Sequence, residues 1–202
     1  MRWPPDRGPL EGSIVRLEPI AAEHRDGLRA ASREAETWTW LGRDVPGSDK
    51  AFSAWFEGRL EASQAGEEWG FVSRSVATGR LIGSSSYLHI RPDHNGLEIG
   101  WTWLHPAAWR TGANIEAKRL MLAEAFEELG CMRVEFKTDS RNERSRTALE
   151  ELPAKFEGIF RQHMLIPGVG RRDSAYYSIV DSEWPSVRAN LERRLAREPA
   201  HA

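Results

Sequence analysis

Cysteine is nearly absent: Cys131 is the single one in 202 residues. It has no partner for an internal disulfide and belongs to no CxxC pair, which fits a reducing compartment and leaves it a packing role. Long apolar runs are missing as well. No segment approaches the roughly 20 apolar residues that cross a bilayer, and the opening M-R-W-P-P-D-R lacks the apolar stretch of a secretory signal. Together these absences predict a cytoplasmic protein with no membrane partner. Nor does one sign of charge dominate: 28 Lys and Arg against 30 Asp and Glu give a formal net charge of −2, so no basic field points to nucleic acid. The six histidines show no H-E-x-x-H or paired-ligand spacing, so no metal is expected. Internal repeats and low-complexity stretches are also lacking. The length suits one ordinary domain, 1–202, with a core of about 13–197.

What is present is a mixture of two periodicities. Residues 13–19 alternate apolar and polar as a strand does, and 21–31 read as a helix. The stretch 34–47 is a loop anchored by Trp38 and Trp40 and turned by G-R-D-V-P-G. Ser48 is placed to cap a helix running to about Gln64, with Phe52, Trp55, Phe56 and Leu60 at helical spacing. Strand-like runs at 68–75, 80–90 and 96–104, separated by turn residues, predict an antiparallel meander. From Ala113 to Leu129 the period becomes 3.6, with Ile115, Leu122, Phe126 and Leu129 along one face and Gly130 as the C-terminal cap. A strand over 131–138, a helix over 142–152, strands at 155–166 and 172–180 and a tail helix over 183–197 complete the pattern. Strand, helix, strand over 96–138 is a βαβ unit, whose two strands must lie parallel. The fold class is therefore α/β with a mixed sheet.

The connection H-P-A-A-W-R-T-G-A-N-I-E-A-K joins the first of those parallel strands to its crossover helix. Glycine at 112 permits a tight turn, and the unpaired N–H groups of the following helix offer an anion site, to which Arg110 and Lys118 or Arg119 can add charge. By itself this is a weak signal, since most such turns bind nothing. The segment resembles, however, the pyrophosphate loop of the GCN5-related N-acetyltransferases (GNAT), most closely the branch that acetylates ribosomal-protein N-termini (RimJ/RimL-like). Further features of that family follow in order: L-E-I-G-W-T-W-L-H-P before the loop, R-V-E-F-K-T-D-S-R-N-E-R-S-R-T-A-L-E after the helix, then K-F-E-G-I-F-R-Q-H-M and D-S-A-Y-Y-S-I-V. The likeness extends from Val15 to Leu195. One departure stands out. Where the wider family has Gln or Arg, two residues, Gly, one residue, Gly or Ala, this chain has Trp109, Gly112 and Asn114, so backbone donors should carry more of the binding.

The resemblance implies a GNAT fold: a mostly antiparallel sheet splayed at its central parallel pair, with helices on both faces. It implies that acetyl-coenzyme A is the co-substrate, that its pantetheine arm pairs with backbone groups around Trp103, Leu104 and His105, and that its diphosphate rests on Trp109, Arg110, Thr111, Gly112, Ala113, Asn114 and Ile115. Asn142 and Arg144 are further cofactor candidates, and Trp38 and Trp40 candidates for the amine acceptor. Glu98 also has a case from its own strand. Strict alternation puts Leu97, Ile99, Trp101 and Trp103 on one face and Glu98 among small residues on the other, where it is either a solvated acid or the general base that relatives carry on this strand. Ser145 is either a helix-start residue or, as the resemblance implies, the group that assists departure of the thiolate.

These expectations describe an N-acetyltransferase acting by direct attack in a ternary complex, without a covalent intermediate on Cys131. The preferred acceptor is a peptide or protein N-terminus: neutralising an α-amine of pKa 7.7–8.0 at pH 7 costs roughly 3 kcal/mol less than neutralising a lysine near 10.4. A small-molecule amine is the alternative acceptor, and a non-catalytic acyl-coenzyme A module the alternative class. A homodimer is a candidate assembly.

Overall fold

The structure, a computed structural model, describes residues 1–4, 8–41, 48–166 and 170–197. The G-R-D-V-P-G turn and the middle of the I-P-G-V-G-R-R loop at 166–172, parts of the two segments expected from sequence to shape the choice of acceptor, lie outside the described residues. Eight strands form one sheet: β1 (Leu10–Glu11), β2 (Val15–Pro19), β3 (Trp69–Ser75), β4 (Leu81–Arg91), β5 (Gly96–Leu104), β6 (Arg133–Asp139), β7 (Lys155–Ile166) and β8 (Gly170–Val180). Their order across the sheet is β1-β2-β3-β4-β5-β6-β8-β7. Every neighbouring pair is antiparallel except β5 and β6, which the crossover helix makes parallel.

Two helical layers cover the sheet. On one face, α1 (Arg25–Ala31) and α2 (Asp49–Gln64) bury Leu28, Phe52, Trp55 and Phe56 against Val72, Leu81 and Trp103. Ser48 caps α2 as its position predicts, its side chain accepting from Ala51 N at 3.0 Å. On the other face, α3 (Ala113–Ala123), α4 (Glu143–Glu151) and α5 (Trp184–Leu195) pack on Tyr87, Leu97, Ile99, Val134, Phe136, Tyr177 and Ile179. Helix α3 continues into a π-helical turn, Glu124–Glu128, and ends at Gly130, whose φ of 73° suits a left-handed cap.

Periodicity placed the buried stripe of α3 slightly off. Leu122 and Leu129 are buried as expected, but Ile115 and Phe126 are only partly covered. The centre of the stripe is Ala113, Ala117, Met121 and Ala125, small residues that let the helix lie close to the sheet.

Strict alternation fails along β5 as well. Ser84 pairs with Trp103 and Ser86 with Gly100, so Trp101 and Thr102 together face Ser85. Trp101 has φ of 50°, and the extra residue is a β-bulge that reverses the facing of everything after it. Thr102 and Leu104 therefore join Leu97 and Ile99 on the α3 side, and Trp103 crosses to the side of Glu98, against Trp38 and Trp55.

Candidate active site

Three register positions hold the parallel pair together: Gly96 with Arg133, Leu97 with Val134 and Glu98 with Glu135. Beyond them β5 and β6 are not paired, and a gap opens between their C-terminal halves. The sheet is thus splayed at its parallel pair, as expected. Glu98 stands where the pairing ends. It is 2% exposed, with Lys137 Nζ at 3.4 Å and His89 Nε2 at 3.7 Å from its Oε2. Burial pushes its carboxyl above the ordinary value, while Lys137 and His89 pull the other way. The outward, solvated placement of this acid is therefore excluded.

The connection at the far end of the gap is built around left-handed backbone. Arg110 has φ of 60° and Gly112 φ of 80°, and no side chain caps α3, which starts at Ala113. The N–H groups of Asn114 and Ile115 bond to none of the described residues, and Ala113 N has only the Thr111 hydroxyl at 3.4 Å. Trp109 lies alongside. Its indole N–H donates to Leu104 O at 2.9 Å, and the Arg144 guanidinium, from the first turn of α4, sits 3.9 Å from its ring centroid.

Several expected site residues take different roles. His105 N–H donates to Ile82 O at 2.7 Å, and by the alternation of an antiparallel ladder this turns the Trp103 backbone toward β4 too. Of the three backbone positions expected at the gap, only Leu104 faces it, and its carbonyl already accepts from Trp109. Trp38 is a core residue: 4% exposed, its indole N–H donates to Ser32 O at 2.9 Å and its ring packs on Trp103 at 5.0 Å. Trp40 is partly exposed, with the Arg141 guanidinium 5.8 Å over its ring. Asn142 is the true cap of α4, accepting from Ser145 N at 3.1 Å. Ser145 is capped rather than capping, and its half-buried hydroxyl bonds to no described residue.

Lys118 does not reach the anion site. It points inward, 8% exposed, and donates to Thr102 Oγ1 at 2.7 Å, with the Phe136 ring at 5.9 Å. Burial brings its ammonium down to about 7. The bulge is the reason, since strict alternation would have pointed Thr102 away from α3. Glu116, two residues before, was not singled out from sequence. Its buried carboxylate accepts from Ser13 N (2.9 Å), Ser13 Oγ (2.8 Å), Ile14 N (2.6 Å) and Val15 N (2.7 Å), tying the turn before β2 to α3. An acid in the middle of an apolar helix face was the available signal. Cys131 is buried, its thiol pushed up to about 11, and it abuts Met1 Sδ at 3.7 Å. Among the described residues no cluster of three His, Cys, Asp or Glu side chains is arranged to hold a metal, and no helix is long and apolar enough to cross a membrane.

A splayed parallel pair followed by a glycine turn into an uncapped helix is the arrangement that the sequence resemblance implied. Residues 15–155 match the family model described as Acetyltransferase (GNAT) domain. The chain belongs to the GNAT acetyltransferase family. It is 32% identical over 169 residues to the protein named Probable N-acetyltransferase YjcK of Bacillus subtilis, covering 79% of this chain and 91% of that one. Among solved structures it is similar to a GCN5-related N-acetyltransferase from Brucella melitensis, with 36% identity, a TM-score of 0.88 and coverage of 96% and 88% of the two chains. The ribosomal-protein-S5-alanine acetyltransferase from Vibrio fischeri shares the fold at 17% identity, with a TM-score of 0.72 and coverage of 88% and 99%. GNAT domains use acetyl-coenzyme A, and this GNAT protein is an acetyltransferase.

Proposed function

We propose that this GNAT protein transfers acetyl from acetyl-coenzyme A to a peptide or protein N-terminal α-amine, with Glu98 as the proton acceptor. The observation that carries this reading is the position of Glu98, buried at the point where β5 leaves β6. A carboxyl raised by burial is a better base than one in water, and it is closer to the pKa of an α-amine.

In this reading the diphosphate lies on the N–H groups of Ala113, Asn114 and Ile115, where helix start and charge agree. Gly112 keeps the approach clear, and the Trp109–Arg144 stack walls it. The pantetheine arm follows the gap and meets the Leu104 N–H. The amine nitrogen attacks the thioester carbon; the N–C bond forms, the C–S bond breaks, and the proton leaves through Glu98. A backbone N–H at the bulge polarises the carbonyl oxygen, and the free Ser145 hydroxyl assists the departing thiolate. Cys131 takes no part, because its thiol is buried and held protonated.

The test is thiol release from acetyl-coenzyme A across a panel of peptide N-termini and small amines. Faster turnover with peptides supports the reading. A preference for polyamines or aminoglycosides would replace the acceptor, and tight coenzyme binding with no turnover on any amine would make the protein a binding module.

A further inference from the structure

The sheet face that carries Glu98 is covered by α1 and α2 only over its first half. Over β6, β8 and β7 no described helix covers it, and it carries charged side chains of both signs. Lys137 on β6 reaches Glu98 at 3.4 Å and lies 5.9 Å over the ring of Tyr176, its register partner on β8. Tyr176 Oη is 3.4 Å from His163 Nε2, and His163 Nδ1 is 3.1 Å from Ser174 Oγ. Period-two spacing on β8 puts Arg172 on the face of Ser174 and Tyr176.

Most charges on this face are paired: Glu135 is held by Arg91 and Arg133, and Glu157 by Arg133. Asp139 is engaged by Arg141 through two guanidinium nitrogens at 3.0 and 2.9 Å. Glu98 is shared between Lys137 and His89. Arg172 attracts Asp139 and Glu98 from a distance but makes no ion pair with any described residue, and its Nε is buried without a hydrogen-bond partner. His163 is held neutral more firmly than usual, by burial and then by Lys137, Arg172 and His89. A partly desolvated guanidinium without a direct ion pair among the described residues is costly, and a carboxylate is the group whose geometry it matches.

We infer that Arg172 recognises a carboxylate on the acceptor, so that the preferred substrates are amines carrying an acidic group near the nitrogen, either acidic N-terminal peptides or small acidic amines. Lys137 and Arg172 make the same face unfavourable for lysine side chains and polyamines. The inference rests on the reading of Glu98 as the place where the amine reacts.

The test uses pairs of acceptors that differ only in that charge: Ser-Glu-Ala-Ala amide against Ser-Gln-Ala-Ala amide for peptides, and isoglutamine against glutamine amide for small molecules. Thiol release from acetyl-coenzyme A is measured for each with the wild type, Arg172→Met and Arg172→Lys. The expected result is a kcat/KM ratio of about tenfold or more favouring the acid in at least one pair, collapsing toward one in Arg172→Met and partly kept in Arg172→Lys. Because the ratio is taken within each variant, a general loss of folding or catalysis cancels. The pair that shows the ratio identifies the source of the carboxylate. Equal use of acid and amide by the wild type, or a ratio that survives in Arg172→Met, overturns the inference while leaving acetyl transfer intact. Thiol release with other amines but none of the four overturns the inference, and release with no amine at all overturns the acetyl-transfer reading and this inference with it.

Discussion

Replacing Lys118 by Met is expected to stabilise the protein, and to do so in a pH-dependent way. The ammonium is 8% exposed and its neighbours among the described residues are a hydroxyl and an aromatic ring, with no carboxylate of those residues in contact. Its folded-state pKa of about 7 lies below the ordinary 10.5. At about 1.36 kcal/mol for each tenfold in proton affinity, the ceiling on the cost of keeping it charged is about 5 kcal/mol. Methionine fills similar space without a charge. Against this, the variant loses one hydrogen bond of about 1 kcal/mol, although Thr102 Oγ1 keeps its 2.7 Å contact with Ser85 Oγ. The net gain is about 2–4 kcal/mol at pH 6. For a lysine whose folded pKa is depressed, the cost is fully present below the folded value and fades as pH rises toward the unfolded one. The gap between variant and wild type should therefore narrow between about pH 7 and 10.5. Denaturant unfolding of both proteins across pH 6–10 measures it. A Lys118→Met variant that is less stable at pH 6, or a gap that does not change with pH, would refute the reasoning.

Glu116→Ala removes the acceptor of three backbone N–H groups and is expected to cost about 3–5 kcal/mol, read as a fall in the denaturation midpoint. Burial pushes the Glu116 carboxyl up, but those bonds together outweigh it and hold the group below its ordinary 4.5, so its contribution is present above that pH and is lost on acidification below it, a slope the variant should lack. Gly83→Ala places a Cβ 2.1 Å from Trp103 O and should destabilise by about 1–3 kcal/mol, because the contact is with backbone that must shift. Gly112→Val forces a branched residue to φ of 80°, at about 1–2 kcal/mol, and on the proposed reading weakens acetyl-coenzyme A binding well beyond that, as titration calorimetry on the folded variant would measure.

Much of this molecule was legible in its sequence, for reasons that differ by element. The β3–β4–β5 meander was visible because turn residues punctuate an alternating pattern, and α2 because Ser48 precedes a helical stripe of aromatics. The parallel pair followed from the helix between its strands. Hidden from the pattern was the bulge at Trp101, since a single left-handed tryptophan leaves no mark in an apolar run. That one residue moved Trp103 to the side of Glu98, brought Thr102 under Lys118, and undid the assignment of faces. Trp38 was misjudged for a related reason: an aromatic in a loop between helices looks available until the Trp55 and Trp103 rings are seen to enclose it. Arg172 closes the I-P-G-V-G-R-R segment, which the sequence already offered as shaping the choice of acceptor, but its lack of an ion pair among the described residues was hidden, because that depends on neighbours distant along the chain.

Thiol release from acetyl-coenzyme A by wild type and Glu98→Gln, at pH 7 with a peptide acceptor and with coenzyme affinity measured alongside, tests the account most directly. The account predicts a turnover lower by about 10²–10⁴ in the variant at nearly unchanged coenzyme affinity, with the deficit shrinking as pH rises and the acceptor neutralises itself. Full activity of Glu98→Gln at pH 7 would contradict it.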